Sequence, residues 1–240
     1  MSFHNNETID FKVVDRIESV AGYVPVSGAK NSALLLLPAV VLATEPVVLN
    51  HIPDIKDVRY MCDILELIGV KIKWVGDNAL YLDPSQVRLC SLNVELCSRI
   101  RASIVLLGVM LGRFGEVDLR LPGGCNLGPR PIDLHVKALT ELGAEFEECG
   151  QYVKARVHNK RGAQVLFSKR TVTGTANALL AAVCFSGETA IHGAALEPEI
   201  DDLIAFLTTL GAKIQRSGGM IVIQGGQVLK GGVHEVMADR

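Results

Sequence analysis

The chain has 240 residues, of which 49% are hydrophobic and 21% charged, and its formal net charge is −2. A chain of this size can bury a substantial core, and its near neutrality argues against nucleic acid or a membrane surface as a partner. The longest apolar run, residues 33–43, contains Pro38 and is far shorter than the ~20 residues that cross a bilayer.

The amino terminus, MSFHNNETIDFKVVDR, is polar and lacks the apolar core of a secretory signal. Six cysteines are scattered without CxxC spacing and without a histidine cluster, which favours a reducing compartment and argues against a zinc site. The sequence also lacks a glycine-rich phosphate loop of the Walker or Rossmann type. We therefore expect a cytoplasmic protein that uses neither a metal nor a cofactor.

The predicted elements repeat three times along the chain. Each repeat begins with a strongly apolar helix, continues with a strand and a proline-containing loop, and ends with an amphipathic helix and an alternating strand. The apolar helices are predicted over residues 31–44, 100–113 and 175–185. The amphipathic helices end at Gly69, Gly143 and Gly211, since glycine supplies the left-handed residue that stops a helix. Further short strands, NALYLD, YVKARV and MIVIQG, close the repeats.

This repeat indicates an α/β fold, or an α+β fold with mixed sheets. We expect three helix-strand units, at about residues 26–88, 89–162 and 163–229. The first helix of each unit is apolar nearly all round, which is typical of a helix buried inside a domain. The units are therefore predicted to surround a shared bundle of central helices, the first of which Pro38 should kink unless it is shorter than predicted.

Basic residues stand at the start of all three apolar helices. Lys30 precedes the first, Arg99 and Arg101 the second, and Lys169 and Arg170 the third. A cation at the positive end of a helix dipole is unfavourable unless an anion lies there. Three such cases in equivalent positions favour one shared anionic ligand, and solvated charges beside loops are the alternative.

The loop of the second unit departs from the repeat, because it carries GGCNLGPR where the first unit has IPDIK. Two glycines let the backbone approach a ligand closely at Cys125, and Arg130 favours the thiolate form of that cysteine. The thiol is predicted to act as a nucleophile or as a proton donor to carbon.

Arg130 also lies just outside the predicted start of a helix, which Pro131 and Asp133 favour. Its guanidinium and the free backbone N–H groups suit an anion, and a surface ion pair with a neighbouring carboxylate is the alternative. His135 follows on the same helix, where it is expected to pack, and no Cys/His or Ser/His/Asp arrangement is readable. Together these residues indicate an enzyme that acts on a multiply phosphorylated small molecule.

Five segments then carry a resemblance to a known family: SGAKNSAL, RASIVLLG, LPGGCNLGPRPIDLH, VTGTANALLAAV and EPEIDDLIAFLTTLGAKI. In this order, from about Val24 to Arg240, they closely resemble the UDP-N-acetylglucosamine 1-carboxyvinyltransferases, the enolpyruvyl transferases of peptidoglycan synthesis. The resemblance implies an inside-out α/β barrel domain and no metal. A related enzyme of the shikimate pathway shares that fold but not the cysteine loop.

The resemblance also implies a reaction and its residues. The 3′-hydroxyl of UDP-N-acetylglucosamine adds to C2 of phosphoenolpyruvate, and phosphate then leaves by elimination. Cys125 would protonate C3, and it is the cysteine that the antibiotic fosfomycin attacks in the family. The phosphoenolpyruvate contacts implied are Lys30, Asn31 and Arg130. The nucleotide-sugar contacts implied are Arg101, Arg130, Pro131, Ile132, Asp133, Leu134, Arg170, Thr171, Val172 and Thr173.

The chain departs from the family in three respects. Leu196 stands where the family usually has an arginine, and either Lys169 or Arg170 matches the family's lysine. Family members also carry a second three-repeat domain that completes the cleft and supplies an essential aspartate. We therefore expect residues 1–25 to be a strand region that pairs with such a domain, and residues 230–240 to cross over toward it.

On this basis the 240-residue chain is expected to hold about half the site and to be inactive alone. Self-association or a complementing second domain would complete it. Two alternatives stay open: a half-domain that binds the nucleotide sugar without turnover, and an enolpyruvyl transferase of another pathway. The segment GGCNLGPRPIDLH argues against the second alternative.

Overall fold

The computed structural model describes residues 21–121 and 132–240. Its helices are α1 (Lys30–Ala39), α2 (Lys56–Ile68), α3 (Glu95–Ser98), α4 (Leu106–Phe114), α5 (Asp133–Glu141), α6 (Val172–Ala182) and α7 (Pro198–Thr209), with 3-10 turns at Val40–Leu42 and Arg101–Val105. Its strands are β1 (Val47–Asn50), β2 (Lys71–Val75), β3 (Ala79–Asp83), β4 (Glu116–Arg120), β5 (Ala144–Cys149), β6 (Tyr152–Val157), β7 (Gln164–Leu166), β8 (Gly187–His192), β9 (Lys213–Ser217), β10 (Met220–Gly225) and β11 (Gly232–Glu235).

The strands form three sheets, with the orders β11-β1-β3-β2, β4-β6-β5 and β7-β8-β10-β9. In the first and third sheets, one edge strand runs parallel to its neighbour and the other strands are antiparallel. In the second sheet, a parallel bridge from Leu92 to Leu119 of β4 takes the place of that edge strand. The same sheet pattern in each unit confirms the predicted threefold repeat.

Strand β11 lies within residues 230–240, for which the sequence predicts a connection toward a second domain. In the structure β11 pairs in parallel with β1 and completes the first sheet. The second and third units take their parallel segments, Leu92 and β7, from residues just before their own central helices. Because the first unit takes β11 from residues that follow the third unit, the three units close into a ring.

The central helices are buried on nearly every side. Buried residues run without a break over 32–39 in α1, 106–112 in α4 and 174–182 in α6. By contrast, exposed side chains alternate with covered ones along the strands, as in β6 and β9. Helices therefore lie inside and sheets outside, which confirms the inside-out α/β arrangement. The amphipathic helices pack against this bundle, α2 and α7 on α1, and α5 on α6.

Two of the central helices are less regular than predicted. The first changes from α-helix to a 3-10 turn after Ala39, just beyond Pro38, whose ring excludes a regular helical hydrogen bond. The second begins with the 3-10 turn Arg101–Val105 before α4. The three glycines predicted to end the amphipathic helices, Gly69, Gly143 and Gly211, all have positive φ, at 106°, 89° and 107°.

The side chain of Asn177, on α6, interrupts the second central helix. Its Nδ2 donates to the carbonyl of Ile104 at 2.9 Å, and its Oδ1 accepts from the N–H of Gly108 at 2.6 Å. In a regular α-helix that N–H would donate to that same carbonyl. The amide is thus inserted into the hydrogen-bond ladder, which is a recognised cause of helix irregularity.

This insertion requires α4 and α6 to lie very close together at Gly108. A Cβ atom built on Gly108 would lie 2.3 Å from the carbonyl oxygen of Asn177 and 2.8 Å from its Cα. Both of these are backbone atoms of a buried helix, so they cannot move aside without displacing α6. Glycine is therefore the only residue that fits at position 108.

We predict that Gly108→Ala lowers the free energy of unfolding by about 1–3 kcal/mol, the usual cost of overpacking a core. The loss should appear despite the ~1 kcal/mol by which alanine favours a helix over glycine. Urea denaturation measures the change. Gly219→Ala is the matched control, because its new Cβ would meet only the carbonyl of Ala194 at 3.7 Å. Equal stabilities for the two variants would contradict the close approach.

Candidate active site

The start of α6 presents several of the residues predicted to bind a nucleotide sugar. Thr171 is the N-cap, and its hydroxyl accepts from the N–H of Gly174 at 3.3 Å. Thr173 follows in the first turn, and Arg170 lies exposed just before the helix. The first N–H groups of a helix have no carbonyl partner within it and favour anions. This end of α6 is therefore suited to a phosphate group.

His135 on α5 joins this end of α6 to the interior. Its Nε2 lies 3.2 Å from the Thr173 hydroxyl, and its Nδ1 lies 2.8 Å from Nδ2 of Asn177. The His135 side chain is buried, with 3% of its surface exposed. The sequence predicted only a packing role for His135. The one feature that could have indicated a role in the site was its position two residues after Asp133, in the segment that also carries the cysteine loop.

Burial and, to a smaller extent, the positive charge of Arg101 lower the pKa of His135 to about 4, while the negative charge of Asp133 opposes the shift. His135 is therefore neutral at physiological pH. The charges of Arg101 and Asp133 therefore lie within electrostatic range of its ring. The structure thus gathers Arg101, Asp133 and Thr173, predicted from three different parts of the sequence, around one neutral histidine.

Two further predicted residues, Ile132 and Leu134, are half-buried and pack against the core on either side of Asp133. The carbonyl of Ile132 accepts from the N–H groups of His135 and Val136 at 2.9 and 3.0 Å. Val172, at the first position of α6, is likewise half-buried. These apolar residues fix the starts of α5 and α6 relative to the bundle.

Lys30 and Asn31 form a second group, at the start of α1, where both are exposed. Nζ of Lys30 lies 3.2 Å from Oδ2 of Asp57, and both side chains are nearly half exposed. The sequence predicted an anion beside Lys30, and in this structure the Asp57 carboxylate provides it. Asp54 and Arg59 form a bidentate ion pair in the same depression.

Partly buried hydrogen bonds hold the start of α1 in place. The N–H of Ala29 donates to the carbonyl of Met237 at 2.8 Å. Asp202 of α7 accepts from the hydroxyl of Ser32, from the N–H of Met237 at 3.2 Å, and from Nε2 of His234 at 2.8 Å. These bonds lower the pKa of Asp202 although burial acts to raise it. Asp202 therefore joins the third unit to the helix that carries Lys30.

Three predicted site residues, Cys125, Arg130 and Pro131, lie outside the described residues, as does most of the predicted strand region 1–25. Within residues 21–121 and 132–240, no group of histidine, cysteine and acidic side chains is arranged to hold a metal ion. In the same ranges, no helix is long and apolar enough to pass through a membrane.

Comparison with known proteins identifies the family. The family model described as EPSP synthase (3-phosphoshikimate 1-carboxyvinyltransferase) matches residues 14–240. The chain belongs to the EPSP synthase family. In fold it is similar to the enolpyruvyl transferase NikO from Streptomyces tendae, with a TM-score of 0.79 and 22% identity over 91% of this chain and 52% of that one. EPSP synthase from Acinetobacter baumannii has a TM-score of 0.69 at 18% identity, over 90% of this chain and 50% of that one.

Curated members of the family show higher sequence identity. The UDP-N-acetylglucosamine 1-carboxyvinyltransferase of Coxiella burnetii is 41% identical over 221 residues, which is 91% of this chain and 51% of that protein. A second strain of the same organism gives the same figures. The chain therefore spans about half the length of the curated relatives that it matches.

One position at which this family member departs from the expected pattern is Leu196, which is 44% exposed. A guanidinium nonetheless lies beside it, because Arg216 donates from Nη2 to the carbonyl of Ala195 at 2.7 Å. Nη1 of Arg216 pairs with Asp201 at 2.8 Å. A basic side chain of β9 therefore lies beside the loop that precedes α7.

We predict that the folded chain loses stability as pH falls from 6.5 toward 4, in part through His135. In this window the unfolded state binds a proton that the folded state excludes, so the free energy of unfolding falls by up to about 3 kcal/mol. Urea titrations at several pH values should show a shallower decline for His135→Gln. His158→Gln is the control, since the His158 side chain is 67% exposed. Parallel curves for wild type and His135→Gln would contradict a buried neutral imidazole.

Proposed function

We propose that this chain forms one half of the active site of an enolpyruvyl transferase that uses phosphoenolpyruvate and UDP-N-acetylglucosamine. The main support is the 41% identity over 221 residues with proteins named UDP-N-acetylglucosamine 1-carboxyvinyltransferase. The reaction would be the first committed step of peptidoglycan synthesis, in the cytoplasm, and fosfomycin would inhibit it at Cys125.

In this proposal the nucleotide sugar binds where α5 and α6 begin. Arg101 contributes a cation, Thr173 a hydroxyl, and the first turn of α6 its backbone N–H groups, all of which suit a diphosphate. Their grouping around His135 supports this role. The complete proposed set is Arg101, Arg130, Pro131, Ile132, Asp133, Leu134, Arg170, Thr171, Val172 and Thr173.

Phosphoenolpyruvate binds beside the start of α1, where Lys30 and Asn31 contact it and Arg130 holds its phosphate. For Lys30 to do so, the substrate must compete with the carboxylate of Asp57, which lies 3.2 Å from Nζ. Because that ion pair is exposed, it is weak, at about 0–1 kcal/mol. A doubly charged phosphate can therefore displace Asp57 without a large penalty.

The proposed reaction has two steps. In the first, the 3′-hydroxyl oxygen bonds to C2 of phosphoenolpyruvate, a base takes the hydroxyl proton, and Cys125 gives a proton to C3. In the second, the bond from C2 to the phosphate oxygen breaks, C3 loses a proton, and the enolpyruvyl double bond forms. Fixed cations stabilise the charge that develops on the departing phosphate, so no metal is required.

In this proposal the second half of the site belongs to a second domain. The relatives are long enough to contain one, because this chain spans only 51% of their length. Residues 26–229 form the three-unit domain, residues 1–25 pair with the second domain, and residues 230–240 lead toward it, with β11 tying that segment to the first sheet. The second domain supplies the aspartate that acts as base. The chain alone is therefore expected to bind the nucleotide sugar without turning it over.

We predict that phosphate release from phosphoenolpyruvate and UDP-N-acetylglucosamine occurs only when the chain is mixed with the second half of the Coxiella burnetii relative. A phosphate-release assay would compare the chain alone, each half alone and the mixture. Cys125→Ser should abolish release by the mixture, because serine is too weak an acid to replace the thiol.

Two results would count against this function. The first is release that persists undiminished in Cys125→Ser. The second is release with 3-phosphoshikimate as the acceptor in place of UDP-N-acetylglucosamine, which would assign the chain to a different acceptor. Release by the chain alone that depends on Cys125 would support the reaction but contradict the half-site arrangement.

A further inference from the structure

The amide of Asn177 can adopt only one orientation. Its oxygen accepts from a backbone N–H, that of Gly108, and its nitrogen donates to a backbone carbonyl, that of Ile104. Backbone groups cannot exchange the roles of donor and acceptor. Rotating the amide by 180° would place its nitrogen against the N–H of Gly108 and its oxygen against the carbonyl of Ile104, in a fully buried position. The amide nitrogen must therefore also face His135.

That orientation fixes the protonation of His135. The Asn177 Nδ2 is a donor, so the Nδ1 of His135 at 2.8 Å must accept from it. A neutral imidazole with an accepting Nδ1 carries its hydrogen on Nε2. The pKa of His135, lowered to about 4, is consistent with this neutral form.

The tautomer in turn fixes the role of the Thr173 hydroxyl. Nε2–H of His135 donates to the Thr173 oxygen at 3.2 Å. A hydroxyl has one hydrogen and two lone pairs, so the Thr173 hydrogen is not used in this bond and points away from the ring. Thr173 is half-buried in the first turn of α6, where its hydrogen is available to an anionic oxygen.

We propose that His135 is a positioning residue for the nucleotide sugar: through Asn177 and its own Nε2–H, it holds the Thr173 hydroxyl as a donor to the ligand's diphosphate. This role rests on the proposed function, since it acts on the site assigned to the diphosphate. His135 does not touch the ligand. It excludes the alternative in which the Thr173 hydroxyl donates inward and turns its lone pairs toward the phosphate oxygens.

Burial and the positive charge of Arg101 both favour a neutral ring at this position. A protonated ring would repel Arg101 and would also lose the acceptor that Asn177 needs. A neutral ring adds no positive charge that would compete with Arg101 for the ligand in the proposed function. The network thus orients a hydroxyl donor without adding a buried charge to the protein interior.

Two substitutions of His135 separate its two hydrogen bonds. His135→Asn places an oxygen near the former Nδ1, so it retains the acceptor for Asn177 but loses the donor to Thr173. His135→Gln places an amide nitrogen near the former Nε2, so it retains the donor to Thr173. Both variants remove the ring from a buried site and should lower stability, which thermal unfolding would measure for each.

We predict that His135→Asn weakens the binding of UDP-N-acetylglucosamine about 10-fold, the loss expected when a hydrogen bond to a charged group is no longer oriented. His135→Gln should stay within about 3-fold of wild type by the same reasoning. Calorimetry on the 240-residue chain gives the dissociation constants. In a Thr173→Val background, His135→Asn should cause no further loss, because its effect passes through the hydroxyl.

The tautomer is tested without ligand or substitution, by long-range ¹H–¹⁵N correlation on the wild-type chain. A hydrogen on Nδ1 of His135 would overturn the proposal, as would equal losses of affinity in His135→Asn and His135→Gln. So would a full effect of His135→Asn in the Thr173→Val background. If wild type binds no UDP-N-acetylglucosamine, both the proposed function and the positioning role fail. If it binds and His135→Asn binds equally well, only the positioning role fails.

Discussion

The requirement that a fully buried amide satisfy its hydrogen bonds governs the centre of this molecule. Asn177 meets it by entering the backbone ladder of the neighbouring helix between Ile104 and Gly108. Three features depend on that single arrangement: the 3-10 turn before α4, the need for glycine at position 108, and the direction of the hydrogen bond to His135. An unpaired amide there would cost about 1–3 kcal/mol of folding free energy. The packing of α4 against α6 and the hydrogen bond to His135 are therefore coupled through Asn177.

A second constraint comes from the closure of the ring of three units. β11 completes the first sheet from the far end of the chain, and Asp202 joins α7 to α1 and to the backbone at Met237. The start of α1, with Lys30, is thus positioned by residues about two hundred positions away along the chain. These contacts position the start of α1 through residues distant in sequence, and the proposed reaction depends on charges held in fixed positions.

The balance of charge around the site follows from the same architecture. Each central helix presents its positive end and a basic residue toward a loop, an arrangement that is unfavourable without a compensating anion. At α1 the carboxylate of Asp57 compensates for the charge of Lys30, and in the proposed function a substrate phosphate takes its place. Where α4 and α6 meet, His135 is neutral and therefore adds no further positive charge beside Arg101.

The sequence by itself determined the repeat, the buried central helices and the glycines that end the amphipathic helices, because periodicity and helix-end chemistry are local properties of the chain. It also identified Lys30, Arg101, Asp133 and Thr173 as site candidates. Only the tertiary structure brought the last three together, and only it revealed His135 and Asn177 as the groups that connect them. The reason is physical: the protonation and orientation of a buried polar group depend on partners from other helices, such as Gly108 and Ile104. Residues 232–235 likewise form a strand of the first sheet because they pair in parallel with β1, which lies far away in the sequence. No local sequence pattern predicts that pairing.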